Sequence, residues 1–255
     1  MLISDFCDLI LLSLHAIMAN DYFQFRQFII HQDQCAMKVG TDGTLLGAWA
    51  QAPCGPCRIL DIGTGTGLIA LMMAQRYPEA KVVGVDIDES ATSQAAQNVS
   101  DSPFADHITI ACADICVYMP EQPFDVIVSN PPYYEEHRSM ISPDLSRRMA
   151  RQTSQLDFKI LAQVTQRLLK PDGSLSLILP VDGYHLMASE ALKVGLNVSR
   201  LCRLRTTPKK ESKRVLLEFR KNYKGKVETF DAIIEMSPGI RSQWYQELIK
   251  DFYIK

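Results

Sequence analysis

The sequence predicts a doubly wound α/β domain built on a mostly parallel sheet of seven strands. Three observations predict it. From Arg58 onward short apolar runs alternate with segments of helical periodicity. A glycine-rich turn ends the first of those runs. Three further acidic or amide residues stand at the ends of later runs, where such sheets bind their ligands.

The first run, RILDI (58–62), lacks the polar alternation of a half-exposed strand and reads as fully buried. Leu68–Tyr77 follows with helical spacing, then strand KVVGVD (81–86) and helix ESATSQAAQNV (89–99). Strands HITIACAD (107–114) and FDVIVSN (124–130) come next. Beyond an irregular stretch lie helix 155–170, strand SLSLILP (174–180) and helix 183–195. The closing strands are NVSRLCRLRT (197–206) and KRVLLEFRK (213–221). Their short Pro-Lys-Lys-Glu-Ser connection makes one of them antiparallel. Upstream, YFQFRQFIIH (22–31) suggests a short strand or hairpin. Residues 41–52 suggest a helix with Thr41 or Asp42 as N-cap. Residues 1–20 read as an uninformative N-terminal extension and 21–255 as one domain.

With 255 residues, 47% hydrophobic and 22% charged, the chain is long enough for a substantial core, and its composition excludes wholesale disorder. A net charge of −2 carries no global positive field, so any nucleic-acid contact must be a local basic patch. The apolar run Leu9–Ala19 is too short for a bilayer span, so no membrane is expected. Seven scattered cysteines make no disulfide framework and fit a reducing cytoplasm. Cys54-Gly55-Pro56-Cys57 is spelled like a redox pair. It precedes a strand rather than opening a helix, so it reads as a turn, and it lacks the second pair a metal site would need.

Four motifs carry chemistry. In Asp61-Ile62-Gly63-Thr64-Gly65-Thr66-Gly67, the three glycines allow a sharp turn and close approach of a ligand. The third glycine comes one residue too early for a dinucleotide fingerprint, and Asp61 suits an ammonium better than a pyrophosphate. Asp86 ends the second strand, where a carboxylate can take two ribose hydroxyls; the following Asp88 is the better helix cap. Asp114 stands where it could accept from an adenine amino group, or merely cap a turn. Lastly, Ser129 is followed by Asn130-Pro131-Pro132-Tyr133. The prolines remove two N–H donors, leaving the Asn130 side-chain oxygen and the Pro131 carbonyl to receive both hydrogens of a planar amino group. Tyr133 offers a face for the ring that bears it.

Together these motifs resemble class I S-adenosylmethionine-dependent methyltransferases, Rossmann-like enzymes acting on a planar amide or exocyclic amine. They do not alone choose among adenine-N6, guanine-N2 and glutamine-N5 targets. The upstream Phe25-Arg26-Gln27-Phe28 and the stretch Cys35 to Trp49 closely resemble the tRNA valine adenine-N6 methyltransferase family, which modifies the adenosine 3′ of the anticodon. The similarity runs from about Tyr22 to the C-terminus, with a divergent segment from about Met140 to Ser154. It implies S-adenosylmethionine as cofactor, tRNA as substrate, no metal, and closure of Lys38 to Asp42, including Thr41, over the methionine end of the cofactor. Arg147, Arg148 and Arg151 are candidate RNA contacts. So is Arg200 to Lys226, with 11 Lys or Arg against Glu211 and Glu218.

Two other enzymatic readings share Asn-Pro-Pro-Tyr: a glutamine-N5 protein methyltransferase and another RNA amino-methyltransferase. The former family carries a helical region before its core, where this chain has a short, sheet-like stretch. A binding-only module would be expected to have lost the asparagine or a glycine.

Overall fold

A computed structural model describes residues 21–35, 38–131 and 158–254. Pro132, Tyr133, Arg147, Arg148 and Arg151 lie outside the described residues.

The alternation read from the sequence appears in order. Strand β1 (Tyr22–Gln24) and β2 (Ile29–His31) form an antiparallel hairpin, followed by helix α1 (Thr41–Trp49). The core units are β3 (Arg58–Ile62), α2 (Leu68–Arg76), β4 (Lys81–Asp86), α3 (Glu89–Ser100), β5 (Ile108–Cys112) and β6 (Phe124–Ser129). The second half comprises α4 (Phe158–Leu168), β7 (Leu169–Pro180), α5 (Val181–Lys193), β8 (Leu196–Arg205) and β9 (Arg214–Lys221). Then come β10 (Glu228–Ile233), a small hairpin of β11 (Glu235–Ser237) and β12 (Ile240–Arg241), and α6 (Gln243–Ile249).

The central sheet has the order β10-β8-β9-β7-β6-β3-β4-β5. All neighbours are parallel except β9, which runs antiparallel to both β7 and β8. The sheet thus has eight strands where seven were expected. The added strand is β10, whose first four residues are exposed and whose Ala232 is buried at the sheet's edge. An edge strand with so little buried surface leaves no readable hydrophobic period. The N-cap of α1 is Gly40 rather than Thr41 or Asp42, and no side chain caps it. The Thr44 hydroxyl instead donates back to the Gly40 carbonyl at 3.2 Å.

Alternate strand residues feed two apolar layers. Ile59, Val126 and Ile178 face α1, α2 and the N-terminal hairpin. Leu60, Ile127 and Leu177 face α4 and α5. Burial on both faces is what a parallel sheet requires, and it explains the unbroken apolar character of β3 and β6. The helix α1 lies close on α2 because Gly47 leaves room for Met72: a Cβ at 47 would stand 2.7 Å from the Met72 sulfur. The chain reverses its spreading direction between β3 and β6, the switch point at whose strand carboxyl ends open α/β sheets bind their ligands.

Candidate active site

The glycine loop between β3 and α2 is sewn to β4. Gly63 N–H and Thr64 N–H both donate to the Val85 carbonyl, at 2.8 and 3.1 Å. Gly65 N–H donates to Asp86 Oδ2 at 2.9 Å, and Gly67 N–H to the Thr64 carbonyl at 2.9 Å. Four loop amides therefore have protein acceptors, so the loop does not hold them out as a phosphate cradle. Gly63, Gly65 and Gly67 have φ of 70°, 53° and 80°, the left-handed region that glycine enters without strain. A Cβ added at Gly63 or Gly65 would meet nothing within 4 Å, so both face open space in which a ligand can approach the backbone.

Asp61 is wholly buried beneath this loop. Its Oδ2 accepts from the Thr64 hydroxyl at 2.7 Å and from Ala70 N–H at 3.2 Å, tying strand, loop and the first turn of α2 together. Its Oδ1 is buried without a hydrogen-bond partner. Burial raises the carboxyl from 3.8 to about 7, against the lowering effect of those two hydrogen bonds. The structure thus gives Asp61 a positioning task that the sequence reading did not assign to it.

Asp86 sits at the tip of β4 with both oxygens held: Oδ2 by Gly65 N–H and Oδ1 by Asp88 N–H at 3.1 Å. Asp88 caps α3, accepting from Ser90 and Ala91 amides, as expected. Asp114 is exposed, and its Oδ1 accepts from Cys116 N–H at 2.8 Å, capping the turn after β5. The Asn130-Pro131 pair follows β6 directly. Ser129 is in register with Ile62, and its hydroxyl donates to the Ile62 carbonyl at 2.8 Å. Asn130 and Gly63 therefore each follow directly on this last register pair, at the carboxyl ends of neighbouring strands.

Described residues on both sides of the stretch before α1 stand at this edge. Cys35 lies close enough to Asp88 and Asp86 for their charges to add to burial in pushing its thiol up to about 11. Farther along, Asp42 accepts from the Arg214 guanidinium at 2.8 Å. Lys38 and Thr41, both exposed, lie between these two points. Residues not singled out from the sequence hold the segment in place. Asn98 on α3 donates to the carbonyls of Thr66 and His31 and accepts from His31 N–H. Gln94 accepts from Gln34 N–H at 3.0 Å. The available signal was two amides four residues apart on a helix face that is otherwise apolar.

Cys57 is buried where β3 begins, and burial raises its thiol, followed by the nearby Asp125. That environment disfavours a thiolate, in keeping with a turn. Among the described residues no group of three or more His, Cys, Asp or Glu could hold a metal, and no helix is long and apolar enough to cross a membrane.

Comparison with known proteins places the chain in a family. The family Methyltransferase small domain matches residues 45–194. The tRNA1(Val) (adenine(37)-N6)-methyltransferase of Phocaeicola vulgatus is 48% identical over 93% of this chain and 99% of its own length. The enzyme of that name from Bacteroides thetaiotaomicron is 42% identical over 93% and 99%. Among solved structures, a predicted O-methyltransferase of Agrobacterium tumefaciens superposes with a TM-score of 0.66 at 17% identity, over 83% of this chain and 96% of its own. That likeness speaks for the fold alone. On the family match and the two relatives, the chain belongs to the methyltransferase small-domain family and, within it, to the tRNA1(Val) (adenine(37)-N6)-methyltransferases.

Proposed function

We propose that this chain transfers a methyl group from S-adenosylmethionine to the N6 amine of an adenine in tRNA, adenosine 37 of a valine tRNA, in the cytoplasm. The observation that carries the reading is the placement of Asn130-Pro131 and the glycine loop at the carboxyl ends of neighbouring strands, across the switch point of the sheet. The two curated relatives named above carry this activity in their names.

This edge of the sheet suits the cofactor's chemistry. Gly63 and Gly65 leave space beside the loop, Asp86 is fixed at the β4 tip for ribose hydroxyls, and Asp114 stands at the end of β5 for an adenine amine. Lys38 and Thr41 close the methionine end from the stretch leading into α1. When bound, S-adenosylmethionine supplies a methyl on a sulfonium, a leaving group that needs no acid from the protein. The work left to this chain is positioning. The Asn130 side-chain oxygen and the Pro131 carbonyl accept hydrogen bonds from the two amine N–H groups and aim the nitrogen lone pair, and the nitrogen, cationic once methylated, releases one proton to solvent. Pro132 keeps that turn free of N–H donors, and Tyr133 stacks on the base. Arg147, Arg148 and Arg151 hold the flanking phosphates. The target base leaves its stack at least cost from a loop that is already single-stranded.

Labelled S-adenosylmethionine with unmodified bulk tRNA, followed by digestion to nucleosides, tests the reading. Label is expected in N6-methyladenosine from valine tRNA. Label in a protein glutamine instead of RNA would overturn it in favour of the glutamine-N5 reading.

A further inference from the structure

The sheet's carboxyl edge is divided by charge, with Asn130 at the division. On the β3–β4–β5 side stand Asp86, Asp88, Glu89 and Asp114. On the other side, β9 runs back antiparallel, so its first residue, Arg214, shares the edge with the last residue of β7, Pro180. Arg214 also pairs in register with Leu204 near the end of β8. The connection from Thr206 to Lys213 therefore projects from the same edge as Asn130.

That connection is a formed loop. Lys210 N–H donates to the Thr207 carbonyl at 3.1 Å, and Lys213 N–H to the Leu204 carbonyl at 3.3 Å. The Lys213 carbonyl accepts from Val181 N–H at 3.2 Å, fixing the loop to the start of α5. Lys209, Lys210 and Lys213 are exposed, and none makes an ion pair among the described residues. The flanking cations differ: Arg205 faces Asp231 at 3.9 Å and Arg214 holds Asp42 at 2.8 Å. Glu211 and, in the first turn of α5, Asp182 are the acidic residues beside the lysines.

The rest of the basic stretch lies elsewhere. Ser129 is in register with Leu177, Leu177 with Leu217, and Leu217 with Leu201. Arg214 thus stands two residues above the level of Asn130, and Lys221 five below it, a separation along β9 of about 23 Å. Lys221 is turned inward, donating to the Leu169 carbonyl, and Arg220 pairs with the buried Glu218. Lys224 and Lys226 follow at the far edge of the sheet.

We propose that the Lys209–Lys210–Lys213 loop is a further surface that grips RNA phosphates near the target base, in addition to Arg147, Arg148 and Arg151, and that Arg220 to Lys226 takes no part. The inference rests on the proposed tRNA activity and adds the place of the substrate. Two to three strand spacings, about 10–15 Å, separate the loop's base from Asn130, a span of a few nucleotides. Unpaired surface lysines meet phosphates without first breaking an internal ion pair.

The test compares Lys209→Ala/Lys210→Ala/Lys213→Ala with Lys224→Ala/Lys226→Ala and the native chain, measuring tRNA affinity between about 50 and 200 mM salt. The loop variant is expected to bind tRNA roughly tenfold more weakly, with a salt slope reduced by about 2–3, while S-adenosylmethionine affinity is unchanged. The far-edge variant should bind like the native chain. Native affinity and slope in the loop variant, or an equal loss in the far-edge variant, would overturn the proposal. If the native chain itself shows no tRNA binding, the proposed function fails, and this surface with it.

Discussion

The carboxylate of Asp42 accepts a 2.8 Å hydrogen bond from the Nε of Arg214, joining residues 172 apart in the chain. The pair fastens the start of α1 to the start of β9, at the carboxyl edge of the sheet. Both side chains are about one-third exposed, so the pair contributes modestly. Arg214→Ala should weaken S-adenosylmethionine binding about 2–5-fold by calorimetry, in line with the measured range for partly exposed pairs. An unchanged affinity would separate this ion pair from the cofactor site.

On the proposed reading, Asn130 holds the reacting amine and not the cofactor. Asn130→Ala should therefore bind S-adenosylmethionine as the native chain does, while methyl transfer falls at least about 100-fold, the scale of losing one positioned polar contact. Single-turnover transfer to tRNA measures it, and normal turnover sinks the mechanism.

Asp61 makes stability depend on pH with a defined sign. Its folded pKa of about 7 lies above the ordinary 3.8, so the folded state holds the proton more tightly than the unfolded chain. The contribution to stability is full below 3.8 and is lost as pH rises through 7. Asp61→Asn stays neutral throughout. The melting temperature of that variant minus the native value should rise by several degrees between about pH 5.5 and 8.5. A pH-independent difference would show that the carboxyl titrates outside this window.

Gly84 lies under the glycine loop. A Cβ there would stand 2.7 Å from the Thr64 hydroxyl and 2.8 Å from a methyl of Ile110. Thr64 cannot easily yield, because that hydroxyl is bound to Asp61. Gly84→Ala is expected to destabilise the fold by about 1–3 kcal/mol in urea denaturation. It should also weaken cofactor binding, because Thr64 belongs to the loop proposed to form the site. Full native stability would mean that the loop shifts freely.

Much of this arrangement was legible because it is local. A period of apolar residues writes β3, α2 and β4 into the chain, and glycines mark the turn that needs positive φ. Asp86, Asp114 and Asn130 could be placed because each closes a readable strand. What the sequence could not give was anything that depends on which distant segments lie side by side. The strand β10 was hidden because an edge strand buries almost nothing. Asp61 reads as a ligand carboxylate, and only the fold shows that one of its oxygens also ties the loop to α2. Arg214 reads as one of many basic residues until β9 brings it to Asp42. Most clearly, the stretch from Arg200 to Lys226 is uniformly basic as a string of letters. The antiparallel run of β9 sends its two ends to opposite edges of the sheet, and only the packed sheet decides which lysines stand beside Asn130.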